Sequence, residues 1–227
     1  MRAAPTQRVL IIDDHVVLGE VVSTCLGQRG FQTRLCTTGS EAEVLRVADH
    51  FRPGVVLLDL GLWPEIGESL HLVGPLAQRG SKVVVLTGTP DRLLHARAVG
   101  EGATGVLEKR RPFQDIVDAI EAAFDGNPVN PRWEIDSLLS ELRTAEEAER
   151  TLLEPFRSLT ERESTVLEAL MTGMNATDIA AAQIVSLATT RTHIRSILQK
   201  LNVHSQLAAV AKARDAGWRS GRDLVAT

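Results

Sequence analysis

Gly54-Val55-Val56-Leu57-Leu58-Asp59-Leu60-Gly61 decides how this chain is read: four consecutive apolar residues run straight into a carboxylate. A short apolar run, bounded by Pro53-Gly54 before it and Gly61 after it, has the signature of a strand buried on both faces of a parallel sheet. An Asp does not suit the interior of such a strand. It does suit the carboxyl end, because open α/β sheets gather their ligands outside the carboxyl ends of their strands. Asp59 is therefore the first candidate functional residue.

The same pattern recurs outward in both directions. Arg8-Val9-Leu10-Ile11-Ile12-Asp13-Asp14 is apolar and then acidic, Lys82-Val83-Val84-Val85-Leu86-Thr87-Gly88 ends in a hydroxyl, and Gly105-Val106-Leu107-Glu108-Lys109 ends in an amine. Phe31 to Cys36 alternates and reads as a further strand. Helical spacing fills the intervals. Val16 to Gly30 carries Val16, Val17, Val21, Val22 and Leu26, and a helix after Ser40 carries Ala42, Val44, Leu45 and Val47. Ser40 and Glu43 have the spacing of a capping box. Further helices are expected from about Gly67 to Arg79, from Asp91 to Val99, and from Pro112 to Phe124, the last with Phe113, Ile116, Val117, Ile120 and Phe124 on one face. Five strand-helix alternations predict a doubly wound parallel sheet with helices on both sides.

Bulk composition narrows the class. Hydrophobic residues make up 44% and charged residues 24% of 227, which is ordinary for a globular protein. Two Cys, Cys25 and Cys36, give no disulfide framework and fit a reducing, cytoplasmic setting. No apolar run reaches the ~18 residues of a membrane span, and Met1 to Arg8 has no signal-peptide core. The net charge of −4 is uneven: from Phe156 onward nine Lys/Arg face six Asp/Glu, giving +3 and leaving −7 for residues 1–155. An acidic front and a mildly basic tail imply two domains with different partners.

In a parallel sheet all strand ends of one kind share a rim, so Asp13, Asp14, Asp59, Thr87 and Lys109 are expected to converge. Three carboxylates repel one another unless a hard divalent cation such as Mg²⁺ sits among them. A phosphoryl group there would be neutralised by metal and Lys109 together, Thr87 would hydrogen-bond one of its oxygens, and Asp59 is placed to be the nucleophile. On these five ordered positions, residues 8–125 resemble the receiver domain of two-component response regulators. The resemblance implies that Asp59 is the phosphoacceptor, that Asp13, Asp14, Asp59 and the Gly61 carbonyl ligate Mg²⁺, that Thr87 is the switch hydroxyl, and that Lys109 is the phosphate partner. His15 is not counted among the ligands. Two positions depart from the receiver pattern. Val106 stands where receivers often carry an aromatic, and Leu62, Trp63 and Pro64 replace the usual Met-Pro. Gly61 also stands where phosphohydrolases using an aspartyl phosphate need a second acid, so no enzyme is expected.

Residues 126–156 read as a linker. Asn127-Pro128-Val129-Asn130-Pro131 is a loop, and Trp133 to Leu153 is an amphipathic helix with Ile135, Leu138, Leu139 and Leu142 on one face. Thr160 and Glu163 form a second capping-box pattern, with Val166, Leu167 and Leu170 continuing the face. Short helices follow at Ala176 to Ala182, from Ser186 to about Leu201, and from about Ser205 to Ala216. Leu159-Thr160-x-Arg162-Glu163, Gly173, Asp178-Ile179-Ala180, Ser186, Thr189, Thr192-His193 and Lys200-Leu201 resemble the LuxR/NarL-type DNA-binding domain. The resemblance makes Ser186–Leu201 the recognition helix of a helix-turn-helix, with Thr189, Thr190, Arg191, His193, Arg195 and Lys200 as DNA contacts. It assigns Leu207, Val210 and Ala211 to dimerisation.

The expected architecture is thus a five-stranded parallel, flavodoxin-like α/β receiver domain (8–125), a linker (126–156) and a small all-α helix-turn-helix domain (157–217). The expected function is a cytoplasmic DNA-binding regulator controlled by phosphorylation of Asp59. Its expected cofactor is Mg²⁺, and its partners are a histidine kinase or small phosphodonor, double-stranded DNA and a second copy of the chain. The alternative left open is a phosphorylation-independent regulator whose receiver serves dimerisation or ligand sensing.

Overall fold

The structure, a computed structural model, describes residues 7–37, 40–62 and 69–220. The chain divides into two compact units, residues 1–143 and 144–227.

The first unit holds strands β1 (Arg8–Ile12), β2 (Gln32–Cys36), β3 (Val55–Asp59), β4 (Lys82–Thr87) and β5 (Gly105–Glu108). Helices α1 (Val16–Gln28), α2 (Glu41–Phe51), α3 (Val73–Gln78), α4 (Arg92–Gly100) and α5 (Phe113–Asp125) alternate with them. The strands pair in parallel in the order β2-β1-β3-β4-β5. Period-two alternation sends Leu10, Ile12, Val56, Leu58, Val83 and Val85 to one face, with Val44, Leu72 and Leu94 of the α2, α3 and α4 side. It sends Val9, Ile11, Val55, Leu57, Val84 and Leu86 to the other, with Val22 and Leu26 of α1 and Ile116 and Ile120 of α5. All five residues of β3 are buried. Each fully buried Val or Leu contributes about 1.5–3 kcal/mol, so a core of this size can carry the cost of two buried carboxylates at its rim.

Helix α1 departs from the expected stripe. Val16, Val17 and Val21 are exposed, and the buried residues are Gly19, Val22 and Leu26. The reason lies across the interface: a Cβ at Gly19 would sit 2.5 Å from Leu35 Cδ1. The helix approaches the sheet on its glycine, and that close approach turns Val17 outward. At α2 the Ser40 hydroxyl accepts from the Glu43 N–H, but Glu43 turns its carboxylate to Arg46, so only half of the expected capping box forms. The third helix is shorter than expected, a 3-10 turn at Ser69–Leu72 followed by α3. Its expected start at Gly67 lies outside the described residues, as do Trp63 and Pro64.

Helix α6 (Arg132–Leu153) follows. Leu138 is buried in the first unit, and Ile135, Leu139 and Leu142 are half-buried.

The second unit contains α7 (Glu161–Met171), α8 (Ala176–Ala182), α9 (Leu187–Lys200) and α10 (Gln206–Asp215). They enclose a core of Val166, Leu167, Ile179, Ile194, Ile197 and Leu201, which Phe156 closes by stacking on Trp218 at 5.4 Å between centroids. Thr160 and Glu163 form the expected capping box. Asn175 and Asp178 form a second one that starts α8, and Ser186 caps α9 by accepting from the Thr189 N–H. Between α8 and α9 the chain turns through Ile184, whose φ is +55° and whose side chain is 92% exposed. A β-branched residue in the left-handed region costs about 1–2 kcal/mol, and an exposed side chain offsets little of it. Ile184→Asn is therefore expected to stabilise this unit by about 1 kcal/mol. Urea unfolding of the two proteins compares them, and an unchanged or lowered midpoint would contradict the strain.

Candidate functional site

The order β2-β1-β3-β4-β5 reverses direction between β1 and β3, so the loops leaving these strands diverge and open a crevice at their carboxyl ends. Asp13 lies one residue past β1 and Asp59 is the last residue of β3. Both carboxylates are only 2% exposed. Lys109 follows β5 directly, and its N–H donates to the Thr87 carbonyl at 2.7 Å. Its ammonium donates to Asp59 Oδ2 at 2.7 Å and to Asp13 Oδ1 at 3.2 Å. Burial raises the Asp59 pKa above the ordinary carboxylate value. The Lys109 hydrogen bond and charge oppose that rise, the neighbouring Asp13 adds to it, and the Gly61 N–H, donating to Oδ1 at 3.2 Å, opposes it.

Thr87 is buried at the end of β4, and its hydroxyl accepts from the Thr89 N–H at 3.2 Å. Asp59, Gly61, Thr87, Lys109, His15 and Leu94 line one cleft of about 330 Å³. Asp14 is partly exposed, and its buried Oδ1 faces His15 Nδ1. One ligand atom each of Asp13, Asp14, His15 and Asp59 lies within 4.8 Å of the others. Three carboxylates drawn together, those of Asp13 and Asp59 buried and that of Asp14 partly exposed, make the donor set of a hard divalent cation, and it fits Mg²⁺.

Two residues at this site stand outside the expected set. His15 Nδ1 lies 2.7 Å from Asp14 Oδ1 and 3.2 Å from Asp13 Oδ1, which puts it inside the cluster. Adjacency to the acid pair was the only signal for it. Ser69 is fully buried, and its hydroxyl donates to the Asp59 carbonyl, tying down the end of β3. Nothing in its local sequence marks that role.

In the second unit, Thr189, Arg191 and Arg195 of α9 are exposed and His193 is half-buried. Two expected contacts differ. Thr190 has no exposed surface, because its position on the helix turns it with Ile194 and Ile197 into the core. Lys200 points back into its own unit, donating to Glu163 Oε2 at 2.6 Å and to the Ser158 carbonyl at 2.8 Å. The Thr190 side chain is not free to meet DNA, while Lys200 keeps 30% of its side-chain exposure beside these two bonds. Ala188, Thr192, Arg195 and Gln199 form one exposed stripe, and their i, i+4, i+7, i+11 spacing was a usable sign of it. On α10, Leu207 is 79% exposed and Ala211 is exposed one turn later, while Val210 is half-buried against the core.

Comparison with known proteins agrees with both halves. Residues 9–121 match the response regulator receiver domain, and residues 157–213 match the luxR family of bacterial regulatory proteins. The chain is 33% identical over 211 residues to the virulence factors putative positive transcription regulator BvgA of Bordetella pertussis, covering 91% of this chain and 96% of that one. It is 31% identical to the nitrate/nitrite response regulator protein NarP of Escherichia coli, covering 91% and 94%. A solved LuxR-family response regulator from Aurantimonas sp. SI85-9A1 shares the fold, at 22% identity and a TM-score of 0.51, over 62% of this chain and 99% of that one. The chain belongs to the two-component response regulators of the NarL/LuxR type, with an N-terminal receiver and a C-terminal LuxR-type DNA-binding domain. Among the described residues, no helix is long and apolar enough to cross a membrane.

Proposed function

We propose that this response regulator is a cytoplasmic transcription regulator that accepts a phosphoryl group on Asp59 and binds DNA as a homodimer. The observation that carries the reading is the Lys109 ammonium bridging the buried carboxylates of Asp59 and Asp13 at 2.7 and 3.2 Å. A buried carboxylate paired with an ammonium is a preorganised nucleophile. Its oxygen attacks the phosphorus of a phosphohistidine on a partner kinase, or of a small acyl phosphate. A new O–P bond forms while the bond to the leaving group breaks, and the leaving group departs with the electron pair. Lys109 then pairs with a phosphoryl oxygen, and the Thr87 hydroxyl donates to another. Asp13, Asp14, Asp59 and the Gly61 carbonyl would hold Mg²⁺, which neutralises developing phosphoryl charge when bound.

On the output side, Thr189, Arg191 and Arg195 face solvent on one helix whose amino end is capped by Ser186, the arrangement of a helix set into the major groove. Thr192 joins them on the exposed surface, and His193 lies at its margin. Leu207 and Ala211, with Val210 beneath them, form the dimer contact. A fluorescence-anisotropy titration of the full chain against a duplex of random sequence tests the DNA half. Affinity is expected to fall steeply and linearly in log[salt], with the Arg195→Ala slope shallower by about 1. Binding that ignores salt, or no binding at any salt, would contradict it.

A further inference from the structure

His15 stands at the edge of the acidic cleft, and the backbone brings its ring against the carboxylates. Asp13 Oδ1 accepts from the His15 N–H at 2.8 Å, which folds Asp13-Asp14-His15 into a tight turn ahead of α1. His15 is the cap residue of α1, yet its side chain makes no capping hydrogen bond to that helix. Its Nδ1 instead lies 2.7 Å from Asp14 Oδ1, 3.2 Å from Asp13 Oδ1 and 3.9 Å from Asp59 Oδ2. The side chain is 65% exposed, so core packing does not force the ring into that place.

Lys109 marks where positive charge is held among these atoms. Its ammonium lies 2.7 Å from Asp59 Oδ2, 3.2 Å from Asp13 Oδ1 and 3.2 Å from His15 Nδ1. An ammonium only donates, so the last contact is a hydrogen bond when the Nδ1 lone pair faces the charge. One imidazole nitrogen and two carboxylate oxygens thus converge on a single cation. A ligand atom of Asp14 lies within 4.8 Å of one from each of Asp13, His15 and Asp59.

The donor set decides which ions suit it. Mg²⁺ takes oxygen ligands and keeps several waters, so an imidazole adds little to its binding. Zn²⁺ and its divalent neighbours take imidazole nitrogen and carboxylate oxygen together. We propose that His15 Nδ1 is a ligand of the cleft's divalent cation, and that this mixed nitrogen and oxygen set makes the cleft a site for divalent transition ions as well as for Mg²⁺. The proposal rests on the reading of Asp13, Asp14 and Asp59 as cation ligands, and not on Asp59 as phosphoacceptor.

The test is isothermal titration calorimetry of the full-length protein with Co²⁺ and separately with Mg²⁺, at one fixed pH, with the visible spectrum of bound Co²⁺ recorded alongside. Asp13→Asn removes a carboxylate and is expected to weaken both ions. His15→Phe keeps the ring shape without its nitrogens. It is expected to bind Co²⁺ at least about tenfold more weakly and with an altered spectrum, while its Mg²⁺ affinity stays as in wild type. A readout that needs no variant is the ring-nitrogen NMR of wild type, in which Zn²⁺ is expected to shift the His15 Nδ1 resonance. Unchanged Co²⁺ affinity and spectrum in His15→Phe, or a His15 Nδ1 resonance that Zn²⁺ leaves in place, would overturn the imidazole ligand and leave the carboxylate site standing. Binding of both ions that Asp13→Asn does not weaken would overturn the cleft as the cation site too.

Discussion

Lys200→Met is expected to destabilise the C-terminal unit by about 3 kcal/mol, the low end of the range for a broken buried pair because Lys200 keeps 30% of its side-chain exposure. The Glu163 side chain is only 6% exposed. Burial alone would raise its pKa, but hydrogen bonds from Lys200, Ser196 and the Thr160 backbone and hydroxyl overcome that and lower it from 4.5 to about 2. A depressed folded-state pKa stabilises the protein above the unfolded value, and the contribution is lost as pH falls through the folded value. The window here runs from about 4.5 down to about 2, and the contribution at neutral pH is about 3 kcal/mol. Removing Lys200 leaves the carboxylate buried without its cation, so the variant loses stability at pH 7 and its stability depends less on pH through that window. Urea unfolding of the full chain, followed by the fluorescence of Trp218 with Trp63 and Trp133 replaced by Phe, measures both effects. Glu163→Gln added to Lys200→Met is expected to recover part of the loss, because the two sites share one network. Equal midpoints for wild type and Lys200→Met would show that the pair contributes nothing.

Lys109→Ala is expected to slow phosphoryl transfer to Asp59 by about 10²–10³-fold, the cost typical of deleting one preorganised charge donor at a reacting centre. Two causes act together. The ammonium that opposes the burial-driven rise of the Asp59 pKa is gone, so less of the nucleophile is ionised. The phosphoryl oxygens would also lose the positive charge that Lys109 supplies. The fold is expected to survive, because Lys109 lies past the end of β5 and its N–H bond to the Thr87 carbonyl is independent of the side chain. Single-turnover labelling from acetyl phosphate, compared at several pH values, separates the causes: a rate that recovers on raising pH points to ionisation, and a uniform deficit points to lost charge stabilisation. A wild-type rate in the variant would remove Lys109 from the chemistry.

The strands that build the cleft were legible because β1, β3, β4 and β5 are buried on both faces and show as unbroken apolar runs, each ending in a polar group that no core position would tolerate. Asp13, Asp59, Thr87 and Lys109 could be placed on one rim for that reason. What could not be read depends on partners distant in the chain. The buried face of α1 is set by Gly19 against Leu35, so the valines that dominate its composition misled the helical stripe. The resemblance that names Thr190 and Lys200 as DNA contacts does not show that Thr190 turns into the core or that Glu163 of α7 draws Lys200 inward across 37 positions. Asn130 read as an ordinary loop residue, and its burial follows only from the open edge of β5 beside it. Ser69 reaches Asp59 through a segment whose periodicity pointed only to a helix.

The central claim is that Asp59 takes the phosphoryl group. Intact-mass spectrometry of wild type and Asp59→Asn after incubation with acetyl phosphate and Mg²⁺ tests it most directly. A gain of one phosphoryl mass in wild type and none in Asp59→Asn is the predicted result. An equal gain in both proteins, or none in wild type presented with phosphodonor and with a phosphorylated histidine kinase, would contradict it.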